Sequence, residues 1–423
     1  MKGSMRREKY DVVIVGSGPA GLGAAFYLAR HSRLRILIVE KRVISSGGLR
    51  NDCKQNYTYP VGFPEELWEE EEAEDLLKIV ESELKPNFMA SHNIGIYKRR
   101  AEKLGVKLLE IKQAHVGTDN AVRLIHSLTS ELEGLGVVFS FKEEALRLDG
   151  KTLVTNKRSI DFESIIVAPG RAGFSFLQRW MDDLGISYVD NVVDIGIRLE
   201  MKEENYPIVR DYYDPKFVFP NKTRTFCTNS GAAYVVKEKY DGYYSVNGHS
   251  FSSKRKRNGL VNFAVLRTIR LTDPIRSGQE YAAILGKAAM QVGGGNPIMQ
   301  RIGDFRMGKR SKLANFNEDL YDFEPTLYVT PGDIALTCPA KILREIWSSL
   351  KKLDTIIPGV LHPSTIIYYP EIKMYANRPI FIDHHFSVKE GVYFIGDGAG
   401  TSRGITAAWA SGIRAAQGIL KGI

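Results

Sequence analysis

A short apolar run ending in a glycine-rich turn constrains this chain more than any other segment. Residues 12–15, Val12-Val13-Ile14-Val15, are β-branched throughout, the pattern of a parallel strand buried on both faces. The run passes directly into Gly16-Ser17-Gly18-Pro19-Ala20-Gly21. In such a turn Gly16 permits the tight bend, Gly18 lets the backbone approach a pyrophosphate, and Gly21 lets the following helix pack close to the strand. That helix, expected over 19–30, would point unpaired N–H groups and a positive dipole end at phosphates. A second apolar strand, expected over 34–39, ends in Glu40, nineteen positions past Gly21, and Lys41 follows. A carboxylate there accepts hydrogen bonds from a ribose hydroxyl and repels a 2′-phosphate. Strand, helix, second strand and acid stand in register, so residues 16–21 with Glu40 and Lys41 make one end of a candidate dinucleotide site.

That end alone does not separate NAD from FAD; a segment near the C-terminus does. Residues 392–395 are another short apolar strand, and Gly396 and Asp397 follow at its carboxyl end, where ligands of open α/β sheets sit. Residues 401–406 then open an alanine-rich helix expected to run to about 420. Its N-terminus, at Gly404, Ile405 and Thr406, can face the electron-rich pyrimidine edge of a reduced flavin. A nucleotide grip at one end and a polyol grip at the other describe FAD.

Together these segments resemble the glutathione-reductase-type FAD fold. Ser164-Ile165-Ile166-Val167-Ala168-Pro169-Gly170 looks like the Ala-Thr-Gly strand end of such proteins, with Pro169 in place of threonine. More narrowly, the chain resembles a widely distributed family of FAD-dependent dehydrogenases whose function is poorly defined. The stretches that carry this are Ser46-Gly47-Gly48-Leu49-Arg50-Asn51-Asp52, His115-Val116-Gly117-Thr118-Asp119, Gly293-Gly294-Gly295-Asn296 with Gly303-Asp304-Phe305, and residues 396–405. That family often has a second cysteine and a glycine pair after the position of Phe226-Cys227, where this chain has Thr228-Asn229-Ser230-Gly231. Flavin binding carries over and substrate chemistry does not. The resemblance implies an α/β chain: a Rossmann-like FAD-binding domain with a parallel sheet, plus an inserted, mainly β, α+β cap domain. It adds Gly48, Leu49, Ala145, Ala168 and Gly170 to the expected cofactor contacts.

The domains are expected at 1–199, with a helix-rich excursion at 43–115, then 200–339 as an aromatic, β-prone insert covering the flavin, then 340–423 completing the first domain. Thr118 and Asp119 are expected N-caps of an amphipathic helix ending near 134–136, and residues 145–160 alternate like a hairpin. The acidic run 65–72 reads as a solvated helix start leading into Leu76, Leu77 and Val80. A second Gly-x-Gly-x-x-Gly is missing, because Gly293-Gly294-Gly295 follows a helix pattern where a strand is required. Electrons are therefore expected from a transiently docking NAD(P)H, from the small-molecule substrate or from a protein carrier.

With 43% hydrophobic and 25% charged residues the 423-residue chain is globular and large enough for two domains. Cys53, Cys227 and Cys338 are too scattered for a disulfide framework or a metal site. No signal-peptide pattern and no run of about eighteen apolar residues appears, so a cytoplasmic protein with no membrane partner is expected. The formal charge of +9 favours anionic partners. Lys254-Arg255-Lys256-Arg257 could meet phosphates, as in a flavin-dependent RNA modifier for which Arg99-Arg100 and the lysines near them also speak, or be a solvated turn between strands. No aromatic-interleaved basic stretch supports nucleic acid.

The expected activity is hydride transfer between an organic substrate and flavin N5, with a non-catalytic binding protein on the same fold as the alternative. The acid–base candidates are Cys53 and Lys54, which follow the flavin-side loop, and His249 on an expected strand of the insert. Two of them have plainer readings, Cys53 as a small packed residue and His249 as a structural histidine.

Overall fold

The computed structural model describes residues 7–44, 47–50, 53–251, 256–272, 274–321 and 323–422. Ser46, Asn51 and Asp52 of the glycine-pair loop and Lys254 and Arg255 of the basic run lie outside them. The chain divides into two compact units: Met1–Phe88, Ile111–Asn191 and Tyr375–Ile423 form the first, Met89–Glu110 and Val192–Met374 the second.

The first unit is organised by a sheet whose strands run Ser387–Lys389, Val392–Phe394, Ser159–Val167, Arg7–Val15, Ile36–Glu40 and Val138–Phe141 in spatial order. The last five are mutually parallel, and the expected hairpin, Ala145–Asp149 with Thr152–Thr155, pairs antiparallel onto Ser159–Val167. The central strands are apolar on both faces because helices cover one side and the hairpin and Phe174–Asp183 the other. Pro19–His31 and Ile405–Lys421 pack backbone to backbone: a Cβ at Gly23 would stand 2.4 Å from Trp409 O, and one at Gly412 2.1 Å from Ala20 O.

The second unit is a mostly antiparallel sheet in the order Thr330–Pro331, Ile298–Arg301, Ile366–Met374, Val193–Lys202, Leu260–Ile269, Thr223–Asn229, Lys216–Val218 and Lys107–Leu109. Helices Gly278–Val292 and Ala340–Ile356 cover one face through a large apolar cluster. A separate hairpin, Ala232–Tyr240 with Tyr243–Phe251, carries His249 opposite Tyr234.

Four expectations change. The boundaries at 200 and 340 move to 192 and 374, because Ala340–Ile356 buries Ile342, Ile346, Leu350 and Leu353 in the second unit's core. Residues 89–110 leave the helical excursion for the same unit, where Lys107–Leu109 extends its sheet against Lys216–Val218. Thr118 and Asp119 are not N-caps. Gly117, at φ 82°, takes that position, and both residues lie in the first turn of Thr118–Gly134. The acidic run starts its helix only at Glu70, and Glu72 is not merely solvated, since it forms an ion pair with the buried Arg414.

Candidate functional site

Val392–Phe394, Ser159–Val167 and Arg7–Val15 are adjacent and parallel, so the glycine turns that follow them stand in a row at one edge of the sheet. The turns touch. A side chain on Gly16 (φ 101°) would strike Ala168 O at 2.3 Å, and one on Gly21 would strike Gly16 O at 2.0 Å. Gly396 (φ 78°) faces Ala20 Cβ at 2.9 Å, and Gly398 faces Gly170 O at 2.7 Å, both measured from the Cβ each glycine lacks. These glycines close the turns on one another.

Other glycines do the opposite. Around Gly18, Gly170 and Gly404 a Cβ would meet nothing within 4 Å, so the backbone there faces open space. Gly18 and Gly404 are the N-caps of Pro19–His31 and Ile405–Lys421, and neither helix has a side-chain cap or an acid in its first turn. Two positive dipole ends thus open beside the strand ends, ready for anionic or electron-rich groups.

Two acids frame this row. Glu40 is buried (7% exposed), and its Oε2 accepts from Ser17 N at 3.0 Å and Ser17 Oγ at 2.8 Å, while Oε1 accepts from Arg42 N at 2.9 Å. The carboxylate thereby ties the end of Ile36–Glu40 to the glycine turn. Asp397 accepts from Ser402 Oγ at 2.9 Å and from Gly404 N at 3.1 Å, with Arg171 Nε 3.9 Å away. Burial pushes its carboxyl above the usual range, against the pull of Arg171 and of the Gly404 and Ser402 donors. Asp397 therefore positions the turn that launches Ile405–Lys421.

The loop expected beside the flavin is the short helix Gly47–Leu49, with Leu49 fully buried and Gly48 exposed. A Cβ on Gly48 would lie 3.9 Å from Ile405 Cγ1, so loop and helix start are neighbours. The next strand, Lys54–Asn56, pairs with Gln113–His115 and puts Lys54 opposite His115. Asn56 O accepts from Thr406 Oγ1, which ties that strand to the same helix start. Cys53 is 1% exposed at φ 51° in the apolar core, with Gln55 Nε2 3.7 Å from its Sγ, the packed environment of its plainer reading. Lys41 is exposed, and Ala145 is buried in the apolar cluster that holds Val15 and Val39. His249 is half-buried on the hairpin of the other unit.

The residues present fit FAD: a turn with room at Gly18 for a pyrophosphate, a carboxylate at the end of the second strand, and an uncapped helix start behind Gly404. Sequence reasoning missed what holds these parts together. Trp68 Nε1 donates to Thr401 O at 2.7 Å, and Arg414, 1% exposed, lies 3.5 Å from the Trp68 ring while donating to Glu72 and Leu67 O. Arg403 N donates to Gly62 O at 2.7 Å, and a Cβ on Gly62 would lie 2.3 Å from Arg403 O. A glycine facing another helix leaves no motif, and the small residues of 19–25 and 407–416 do not say by themselves what they pack against.

The model of the Thi4 family matches residues 3–61, the strand–turn–helix–strand portion. A Clostridium beijerinckii protein described only as uncharacterized is 24% identical over all of this chain and 83% of its own length. A thiamine thiazole synthase of Saccharolobus islandicus is 29% identical over 161 residues, 37% of this chain and about half (51%) of the synthase. Among solved structures, the L-proline dehydrogenase of P. horikoshii overlays 99% of this chain and 95% of its own at a TM-score of 0.47 with 14% identity. The parallel strand order, the glycine turns and the helix starts described above are those of a Rossmann-like dinucleotide-binding sheet, the architecture expected of a glutathione-reductase-type FAD fold.

Proposed function

We propose that this chain is a FAD-dependent oxidoreductase that moves a hydride between an organic substrate and N5 of the flavin. The observation that carries the reading is the row of three glycine turns at parallel strand ends, open at Gly18, Gly170 and Gly404 and framed by Glu40 and Asp397. Bound FAD would supply the two-electron chemistry. The chain's part is to hold the pyrophosphate at Gly18 and the N-terminus of Pro19–His31, to hold the adenosine ribose at Glu40, and to set the Gly404–Thr406 turn through Asp397. The N–H groups of that turn then favour negative charge on the ring edge beside them.

Lys54 is the proton carrier we favour, because its strand is fastened to Thr406 through Asn56; His249 stays a second candidate. The Thi4 match ends at residue 61, inside the nucleotide-binding half, so it supports the grip and says nothing of the substrate. Gly293 follows the helix Gly278–Val292, so the reading includes no second dinucleotide motif, and reductant comes from docked NAD(P)H, substrate or a carrier. Purified protein should be yellow and release FAD on denaturation. Stopped-flow reduction of the bound flavin across NADH, NADPH and candidate metabolites then identifies the donor. Colourless protein that takes up no added FAD would sink the reading, and full turnover in Lys54→Ala would remove Lys54.

A further inference from the structure

The formal charge of the chain is not spread evenly. Residues 95–107 and 340–356 hold nine cations against three acids, so these two short stretches account for two-thirds of the total +9. The structure brings them together in the second unit. Arg100 Nη1 donates to Ile356 O at 3.1 Å and Lys352 Nζ to Leu104 O at 3.1 Å, which fastens helix Gly95–Glu102 to the end of helix Ala340–Ile356.

Two of the three acids are engaged elsewhere. Glu345 is paired with Arg267, and Asp354 accepts from Gly359 N and Leu361 N. Lys98 is paired with Glu110. Arg99, Lys103, Lys107, Lys341, Arg344 and Lys351 are exposed, and none of them enters an ion pair among the described residues. Their spacing is regular. On the longer helix Lys341, Arg344, Ser348 and Lys351 are all exposed at i, i+3, i+7 and i+10, one stripe opposite the buried Ile342, Ile346 and Leu353. On the shorter one Ile96, Arg99, Arg100 and Lys103 follow at i, i+3, i+4 and i+7, and Ile96 is 45% exposed within that row.

We propose that this face docks on the surface of an anionic lipid bilayer. An apolar side chain in a cationic row gains from insertion at the headgroup boundary, whereas a phosphate backbone would leave it against charge. Stacking platforms for single-stranded nucleic acid are missing from the pair of helices: Tyr97 and Trp347 are half-buried, and Trp347 packs edge-on against Phe305. No described helix is long and apolar enough to cross a membrane, and peripheral docking needs none. The expectation of no membrane partner rested on spans alone. The proposal stands independently of the flavin reading.

The test is co-sedimentation of the full chain with vesicles of phosphatidylcholine alone or with about one-third phosphatidylglycerol. Binding is expected only to the anionic vesicles and should be lost as salt rises from about 0.05 to about 0.5 M. Arg99→Glu with Lys103→Glu should lower partitioning at least about tenfold, since each cation near such a surface is worth roughly fivefold. Ile96→Ser should lower it about tenfold through lost apolar insertion. Lys389→Glu with Arg33→Glu, an equal charge change at exposed positions of the first unit, should stay within about twofold. If the first pair of changes unfolds the protein by circular dichroism, Lys341→Glu with Arg344→Glu serves instead. Absent or charge-independent vesicle binding overturns the proposal. So does binding to an RNA oligonucleotide that outcompetes the vesicles and ignores Ile96→Ser, which would make this a nucleic-acid face.

Discussion

In the unit built on Arg7–Val15 the sheet has an apolar middle, with Val13, Ile14, Ile38 and Ile165 each at zero exposure, and the two acids of the candidate site, Glu40 and Asp397, stand where strands end. In the unit built on Val193–Lys202 charged side chains are sealed in mid-strand. Arg198 is bidentate to Glu371 at 2.6 and 2.7 Å and donates to Asn262 Oδ1 at 2.7 Å; Glu200 accepts from Tyr368 OH at 2.7 Å and from Thr326. Burial pushes the Glu200 carboxyl and the Tyr368 phenol upward. The difference teaches where each unit keeps its chemistry: one at the ends of strands, on turns whose glycines are visible, the other on a sheet face whose partners are some 170 residues apart in sequence.

The sharpest way to break the comparison is Gly18→Val. At φ −74° with nothing within 4 Å of its Cβ, valine fits the protein itself. Folding should be kept while FAD affinity falls at least about a thousandfold, because the added carbons occupy the space of the pyrophosphate. Isothermal titration of apo-protein decides it, and near-normal affinity would show that this turn does not hold the cofactor. Gly21→Ala should instead damage folding, since its Cβ would lie 2.0 Å from Gly16 O.

The next effect tests the other unit. Arg198→Met leaves Glu371 sealed without its bidentate partner and should cost about 3–5 kcal/mol in urea unfolding, whereas Arg198→Met with Glu371→Leu should recover most of it. A double change that costs the sum of Arg198→Met and Glu371→Leu measured singly would show that the pair is not coupled.

Glu40→Ala removes both the tie to Ser17 and the ribose acceptor, and water replaces part of each. FAD binding should weaken by about 1–2 kcal/mol, measured by the same titration. The smallest effect is at Asp397. Its folded-state pKa is raised above the ordinary value of 3.8, so its contribution to stability is fully present below that value and is lost as pH rises through the folded pKa. Asp397→Asn keeps an acceptor for Gly404 N and should leave FAD binding largely intact. The apo-variant should be at least as stable as the parent at neutral pH, with the difference vanishing toward pH 3.8 in thermal melts. A variant markedly less stable at neutral pH would show that the carboxylate's charge is needed.

The first unit's site was largely legible because each of its parts is local. A strand, its turn and the helix after it fall within residues 7–31, and the backbone of a glycine turn does work that other residue types sterically cannot. The helix Ala340–Ile356 was legible as a helix and misplaced as to unit, because an amphipathic stripe says that a face is buried and not against what. Gly23 and Gly412 were invisible for a related reason: a glycine facing another helix looks in sequence like any tolerated glycine. The proposed acid–base group was the least legible part. The strand that carries Lys54 is tied to the helix start by the bond between Asn56 and Thr406, two residues 350 positions apart.

The sequence by itself determined the dinucleotide half: which glycines turn, which acid ends the second strand, and that a helix start would follow Asp397. These are consequences of backbone sterics and of periodicities read over a few residues. Only the tertiary structure decided that the turns after Phe394, Val167 and Val15 stand in one row, that Arg198 meets Glu371, and that residues 89–110 join the second sheet. Each of those depends on which strands lie side by side. Strand order is fixed by burial of whole surfaces rather than by any residue's own preference, so no local window of sequence contains it.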